Sequence, residues 1–158
     1  MANTQAMCTS FLSELMTATH NFGTAPVRAA TTADTFKAAL YLTTATINAS
    51  TTAYTATGEV SGTNYTAGGV TVTNATPPAS TNSSATAGTA YWTPSASITY
   101  TTVTLSTAFD TVLIYNSTQS NKAVSVHTFG SQTITAGTFT LTMPSNTTST
   151  ALLRLATT

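Results

Sequence analysis

The chain has 158 residues, enough for a single domain with a buried core, and its four acidic and four basic side chains cancel. Only 5% of its residues are charged, against about a quarter in ordinary globular proteins, whereas threonine fills 42 positions. The scattered cations exclude nucleic-acid binding, and the lack of a long apolar run excludes a membrane-spanning helix. Because so little net charge keeps copies apart, the composition favours assembly with neighbours.

The first predicted element is a helix from Asn3 to His20, ended by Asn21-Phe22-Gly23. Its apolar residues recur at intervals of four in two neighbouring rows, which makes a stripe two residues wide. The stripe either packs on the chain's own core or docks on another subunit. In the second interpretation, the interface residues are Met7, Phe11, Leu12, Leu15 and Met16.

The same segment leads to two expectations about the cellular compartment of the protein. The opening MANTQAMCTSFLSEL lacks the basic start and apolar block of a secretory signal, so we expect a protein that is made and kept in a cytoplasm until it assembles. Cys8 is the only cysteine, which excludes an internal disulfide. We expect a buried, reduced thiol, with an intermolecular disulfide as the alternative.

From Thr35 onward the apolar period changes from about four to two, which predicts strands rich in β-branched residues. Alanines in the first strand leave a short helix there as the alternative. The predicted strands are Phe36–Leu42, Gly68–Asn74, Ala96–Leu105, Asp110–Asn116, Lys122–Phe129 and Gly137–Met143, with ALLRLA near the end as a candidate last strand. We expect a hairpin loop at Ser117–Asn121 and a long loop from Ala75 to Ala90.

Short strands with turn signals every ten or so residues indicate a mainly β protein, an antiparallel β-sandwich or jelly roll with one N-terminal α-helix. We expect one domain over residues 1–158, with a helical segment at 1–23 and the β-sandwich at 24–158.

The residues that could support catalysis or bind a metal are few and scattered. His127, Asp110 and one of sixteen serines form a Ser-His-Asp set on paper only, because a triad is defined by geometry. Strand alternation places His127 on the Ser125 face, as a structural or surface histidine. His20 and His127 lie far apart with no cysteine pair, and the carboxylates do not cluster. We therefore expect no enzyme, no cofactor and no metal site.

Three further patterns have a structural and a functional interpretation. Six Asn-X-Ser/Thr sequons occur, which we interpret as turn chemistry rather than glycosylation sites. Threonine alternation at Thr71–Thr73 and Thr138–Thr142 resembles ice-binding surfaces, but its spacing is irregular. Tyr91-Trp92 is either an aromatic platform for a saccharide or part of the core beside a proline turn.

Several segments together resemble a family of small virion proteins of tailed bacteriophages. They are MANTQAMCTSF, ATTADTFKAALY, STTAYTATGEVSGTNYTAGG, LIYNSTQSNKAV and the closing ALLRLA, so the resemblance spans nearly the whole chain. The segment least like the family is the loop from Ala75 to Ala90. The resemblance implies a virion component, and the role we expect is a capsid decoration or cement protein on the outside of the head shell. Its partners would be the major capsid protein and copies of itself, with a trimer as one suggested assembly.

Physical chemistry is compatible with that role. The stretch from Thr51 to Val70 contains one charged residue, Glu59, among hydroxyls, glycines and small apolar groups. Such a surface loses little on desolvation, and weak contacts to several shell subunits add up through avidity. Two alternatives stay open: a tail, neck or fibre component of the virion, and a carbohydrate-binding module in which Trp92 and tyrosines line a groove.

Overall fold

A computed structural model of the chain describes residues 3–16, 19–22, 33–81 and 88–156. In these residues the protein is mainly β with antiparallel sheets, as the sequence predicts. The elements in chain order are β1 Ala6–Met7, α1 Thr9–Met16, β2 Phe36–Leu42, β3 Val70–Thr71, β4 Ala79–Ser80, β5 Thr89–Trp92, β6 Ile98–Asn116, β7 Lys122–Leu141 and β8 Leu153–Ala156. A five-stranded sheet has the order β1-β7-β6-β2-β3, and a three-stranded sheet has the order β4-β5-β8.

The centre of the larger sheet is one long hairpin, where the sequence predicts four separate strands. β6 contains Asp110–Asn116 and all of Ala96–Leu105 but that strand's first two residues. β7 joins the next two predicted strands, apart from the last two residues of Gly137–Met143. The predicted interruptions are register shifts within the β6–β7 pairing rather than loops. Bulges of this kind bend a strand and increase its twist without ending it, which is why local turn signals were misleading.

The hairpin folds back on itself. Ile98 and Val112 line the same small cavity, although a straight strand would separate residues fourteen positions apart by about 46 Å. Phe139, near the end of β7, lies 5.2 Å from Phe109 and 5.1 Å from Phe129, measured between ring centroids. The end of the hairpin distant from its loop therefore covers the end next to the loop, and the core lies between them.

The predicted bounds of β2 are confirmed, and both faces of this strand are covered. The phenol of Tyr41 donates to the carbonyl of Thr55 at 2.7 Å, so the irregular segment after β2 packs on one face. Tyr100 lies in the folded-back part of the hairpin, and its phenol donates to the carbonyl of Ala38 at 2.8 Å. Because neither face meets water, alanine is tolerated at the centre of this strand, and no helix forms there.

The predicted helix from Asn3 to His20 is wrong at both ends. Among its described residues only Thr9–Met16 is helical, and residues 19 and 20 are not. Before it, Ala6 and Met7 pair with Val126 and Ser125 of β7, and the amide of Cys8 donates to Val124 at 3.1 Å. A short segment that bonds to a sheet edge cannot also make helical hydrogen bonds, which places the helix start beyond Cys8.

The remaining predicted strands and loops have mixed outcomes. The hairpin loop after β6 is confirmed, with Ser120 and Asn121 at φ 52° and 58°. The predicted strand Gly68–Asn74 is shorter in the structure, at Val70–Thr71. It starts after Gly69 because that residue has φ 73° and a Cβ there would meet the Ala38 carbonyl. The last strand is confirmed at Leu153–Ala156. The predicted loop 75–90 contains β4 and the start of β5, and its residues 82–87 lie outside the described part.

Candidate functional site

The structure separates the five predicted interface residues. Phe11 is 2% exposed, and its ring packs inside the chain against His20 and Phe22. Met7 and Leu15 are half-buried and pack against the same core. The side chains of Leu12 and Met16 lie outside the described part, and their interface role stays a prediction.

An aromatic cluster links α1 to both sheets. Its members are Phe11, His20, Phe22, Phe36 and Trp92, and the closest pair, Phe22 and Phe36, is stacked with ring centroids 4.4 Å apart. Trp92 is 2% exposed, and its indole N–H donates to Oδ1 of Asn74 at 2.9 Å. The suggested saccharide platform on Trp92 is therefore wrong, because a stacking surface has to be open to its ligand.

A chain of hydrogen-bonded polar side chains crosses the interior beside this cluster. Lys122 Nζ donates to Oε1 of Glu14 at 2.7 Å, and Oε2 of the same carboxylate lies 2.7 Å from Nε2 of His20. Nδ2 of Asn116 lies 3.1 Å from Nδ1 of His20 and donates to Oδ2 of Asp34 at 2.8 Å. The chain ties α1, the residues after it and both long strands together.

Asn116 fixes the protonation state of His20. Its Oδ1 accepts the backbone N–H groups of Thr118 and Gln119, so its amide nitrogen must face the histidine and the aspartate. An N–H that points at Nδ1 requires that nitrogen to be an acceptor, so His20 is neutral and donates from Nε2 to Glu14. Burial also lowers the pKa of His20, against the opposing effect of the Glu14 hydrogen bond.

The pKa values of Glu14 and Cys8, which lie in the same region, are shifted in opposite directions. The hydrogen bonds from Lys122 and His20 outweigh burial and lower the pKa of Glu14. Cys8 is fully buried, and burial together with the Glu14 charge raises the pKa of its thiol to about 11. The thiol is thus protonated at neutral pH and unsuited to nucleophilic or redox chemistry.

A second histidine, His127, faces a groove of about 470 Å³ between β7 and β8. Its Nε2 lies 2.9 Å from the Ser125 hydroxyl, on the shared face that alternation predicts. No triad is completed: Asp110 bonds to Asn3 and Thr111, and the other three carboxylates of the chain are engaged with His20, Asn116 and the tyrosines described below. Burial lowers the pKa of His127 to about 4, which leaves a weak base.

Because of the two histidines, we expect the free energy of unfolding to fall in mild acid. Their pKa values are lowered in the folded state, so the unfolded chain takes up protons first as the pH falls below 6.5, and stability is lost down to the folded pKa values. For His127 alone the loss between pH 7.5 and pH 5 is about 2 kcal/mol. Urea denaturation at the two pH values measures it, and His127→Gln should remove that share. An unchanged urea midpoint would contradict the assignment.

Glu59, the single charge of the Thr51–Val70 stretch, is the centre of a third polar site. Its carboxylate accepts hydrogen bonds from Tyr54 at 2.7 Å, from Tyr65 at 2.8 Å and from the amide of Gly68 at 2.7 Å. Burial and the Glu59 hydrogen bond raise the pKa of Tyr54 to about 12. The carboxylate therefore ties together three parts of the irregular segment between β2 and β3 and has a structural role.

The described residues contain neither a cluster of metal ligands nor a membrane-spanning helix. No three His, Cys, Asp or Glu side chains in this part of the chain lie close enough together to hold a metal ion. Nor does its helical structure have the length and apolar character that a membrane crossing requires.

No protein-family model, curated protein or solved structure matches the chain. The site assignments therefore depend on this chain's own geometry.

The outer surface of β7 is the remaining candidate. Every residue from Thr128 to Thr150 is exposed or half-buried, and none is charged. The nearest charges in sequence are Lys122 and Arg154, and the Arg154 guanidinium donates to the Ser149 carbonyl at 2.6 Å. We call residues 128–150 the hydroxyl tract. The tract is rich in threonine and serine. Leu155, which follows the tract, is the one large apolar residue that is clearly exposed in the described part. Such a surface can make many neutral hydrogen bonds and few apolar contacts.

Sequence reasoning missed the two polar clusters around Asn116 and Glu59. Asn116 was visible only as part of a sequon, and Glu59 only as an isolated charge. A rare charge in a threonine-rich stretch bounded by Tyr54 and Tyr65 was the available signal, because phenols are natural donors to a carboxylate.

Proposed function

We propose that the chain is a non-enzymatic structural protein of a tailed-phage particle and decorates the outside of the head shell. Its partners are the major capsid protein and further copies of itself. It is made in the cytoplasm of the bacterial host and remains on the virion. The segments that resemble phage virion proteins motivate the kind of particle, and the surface chemistry of the chain supports a binding role.

The hydroxyl tract is the observation that carries the proposal. A surface that covers a shell must release its water at little cost, and neutral hydroxyls cost far less to desolvate than ions do. Residues 128–150 offer such a surface without one charged side chain. Each contact is weak, but one copy that touches several shell subunits gains affinity through avidity.

The engagement of the titratable groups supports a non-enzymatic role. The four carboxylates are used in internal hydrogen bonds, and the Cys8 thiol is buried with a raised pKa. A catalytic site needs such groups free to face a substrate. We also propose that the two sheets and the folded-back hairpin form a β-sandwich of the jelly-roll type, an architecture suited to close packing on a shell.

The deciding experiment is the copy number of the chain in purified virions, measured by quantitative mass spectrometry against the major capsid protein. Hundreds of copies per particle are expected for a shell decoration. A handful of copies would contradict this role and favour the tail, neck or fibre alternative, and absence from the particle would overturn both.

The predicted interface stripe provides a second test, made at Leu12 and Met16 of α1. If Leu12 and Met16 anchor the chain to a neighbour, the double variant Leu12→Asp/Met16→Asp should fold but lose binding to shells that lack the protein. Circular dichroism checks the fold, and cosedimentation checks the binding. Thr57→Asp, at an exposed turn, is the control and should bind normally. A double variant that binds normally, or that fails to fold, would contradict the anchor role.

A further inference from the structure

The last five residues of β7, Gly137–Leu141, have a partner strand on one side only. Gly137 pairs with Val103, Phe139 with Tyr100 and Leu141 with Ile98, all in β6. On the other edge β7 pairs with β1, but only at Ser125 and Val126. No described residue pairs with the outer edge of Gly137–Leu141, so alternate backbone N–H and C=O groups point away from the sheet there.

This edge lacks the devices that normally prevent strand addition. Proteins protect edge strands with charged side chains, prolines or bulges. No charged residue or proline occurs between Lys122 and Pro144. One register shift falls within this segment, between the Tyr100/Phe139 and Val103/Gly137 pairs, but its extra residue lies in β6, so β7 itself is not bulged from Gly137 to Leu141. Strand addition to an open edge of this kind is a common mode of protein recognition.

The side chains favour a second copy of this chain as the added strand. Thr138 and Thr140 are exposed, whereas Phe139 and Leu141 are half-buried and pack against the core. Two copies related by a two-fold axis would place antiparallel edges together, threonine beside threonine, with no like charges opposed. We propose that Gly137–Leu141 is a self-association edge through which two copies form a continuous antiparallel sheet.

The contact is a two-fold one, so it predicts a dimer rather than the trimer suggested above. It rests on the backbone and side chains of β7 and not on the proposed location in a virion. The oligomeric state of the purified chain therefore tests it separately from the copy number in particles.

The experiment combines a charge variant with its complement. Thr138→Lys/Thr140→Lys opposes positive charges across the two-fold axis and is expected to weaken dimerisation by about tenfold or more. Thr138→Glu/Thr140→Glu should weaken it similarly, and an equal mixture of the two variants should restore dimers. Light scattering after size exclusion measures the mass, and Thr57→Lys, an exposed position in a turn, is the control.

Hydrogen exchange identifies the surface. In the wild-type dimer, outward amides within Gly137–Leu141 should exchange slowly, and they should exchange fast in the lysine variant. A wild-type chain that is monomeric at about 100 μM overturns the proposal, as does a lysine variant that dimerises normally. Amides that become protected only on the particle would assign the edge to the shell protein instead, which also overturns it.

Discussion

Replacing Asn116 by alanine is expected to lower the free energy of unfolding by about 3 kcal/mol. Its side chain is fully buried and makes four hydrogen bonds, two as donor and two as acceptor. Truncation leaves the buried groups of His20 and Asp34 and two amides of the hairpin loop without this partner. The cost is large because a buried polar group that loses its partner pays the full price of its desolvation.

Urea denaturation, followed by circular dichroism, measures the change from the transition midpoint and slope. Asn48→Ala is the matched control, since its amide oxygen bonds to the backbone and hydroxyl of nearby Ser50 in an exposed turn. That control should lose about 1 kcal/mol or less. Equal losses in the two variants would mean that the buried chain of polar groups adds nothing to stability.

The fold was predictable to the extent that local signals decided it. Strand β2 appears with its predicted bounds, and the hairpin loop after β6 appears at the predicted residues, because alternation and turn chemistry are local properties. The number of strands was not predictable. Bulges in β6 and β7 replace the expected loops, and a bulge depends on the partner strand rather than on the bulged sequence alone.

The N-terminal segment shows the limit of periodicity as a signal. Met7, Phe11 and Leu15 recur at helical spacing, yet Met7 belongs to a strand that pairs with β7. The spacing of apolar residues predicts which side chains are buried, and Phe11 is indeed buried. The spacing does not show whether the apolar surface that covers them belongs to the same chain or to another one. That difference separates an interface from a core, and only tertiary contacts decide it.

The second large effect is expected at Glu59, where alanine should cost about 3 kcal/mol. The carboxylate accepts three hydrogen bonds, and charge-assisted bonds are stronger than neutral ones. Tyr54 stacks on Tyr115, and Tyr65 stacks on Tyr100. Loss of the carboxylate therefore also weakens the packing of these rings on β6. Glu59→Gln keeps an oxygen for two of the donors and should lose about half as much.

Single phenol deletions separate the contributions. Tyr54→Phe and Tyr65→Phe each remove one donor to Glu59 and should each cost about 1–2 kcal/mol. Tyr65→Phe also removes the hydroxyl that accepts the Leu40 amide, so its cost is expected at the upper end. The cost of Tyr54→Phe should nearly vanish in a Glu59→Ala background, because the hydroxyl then has lost its carboxylate partner in both states of the comparison. Urea denaturation of the four chains in this cycle gives the coupling energy. Additive losses would show that Glu59 and Tyr54 stabilise the protein independently, and the carboxylate would then not be what holds the threonine-rich segment together.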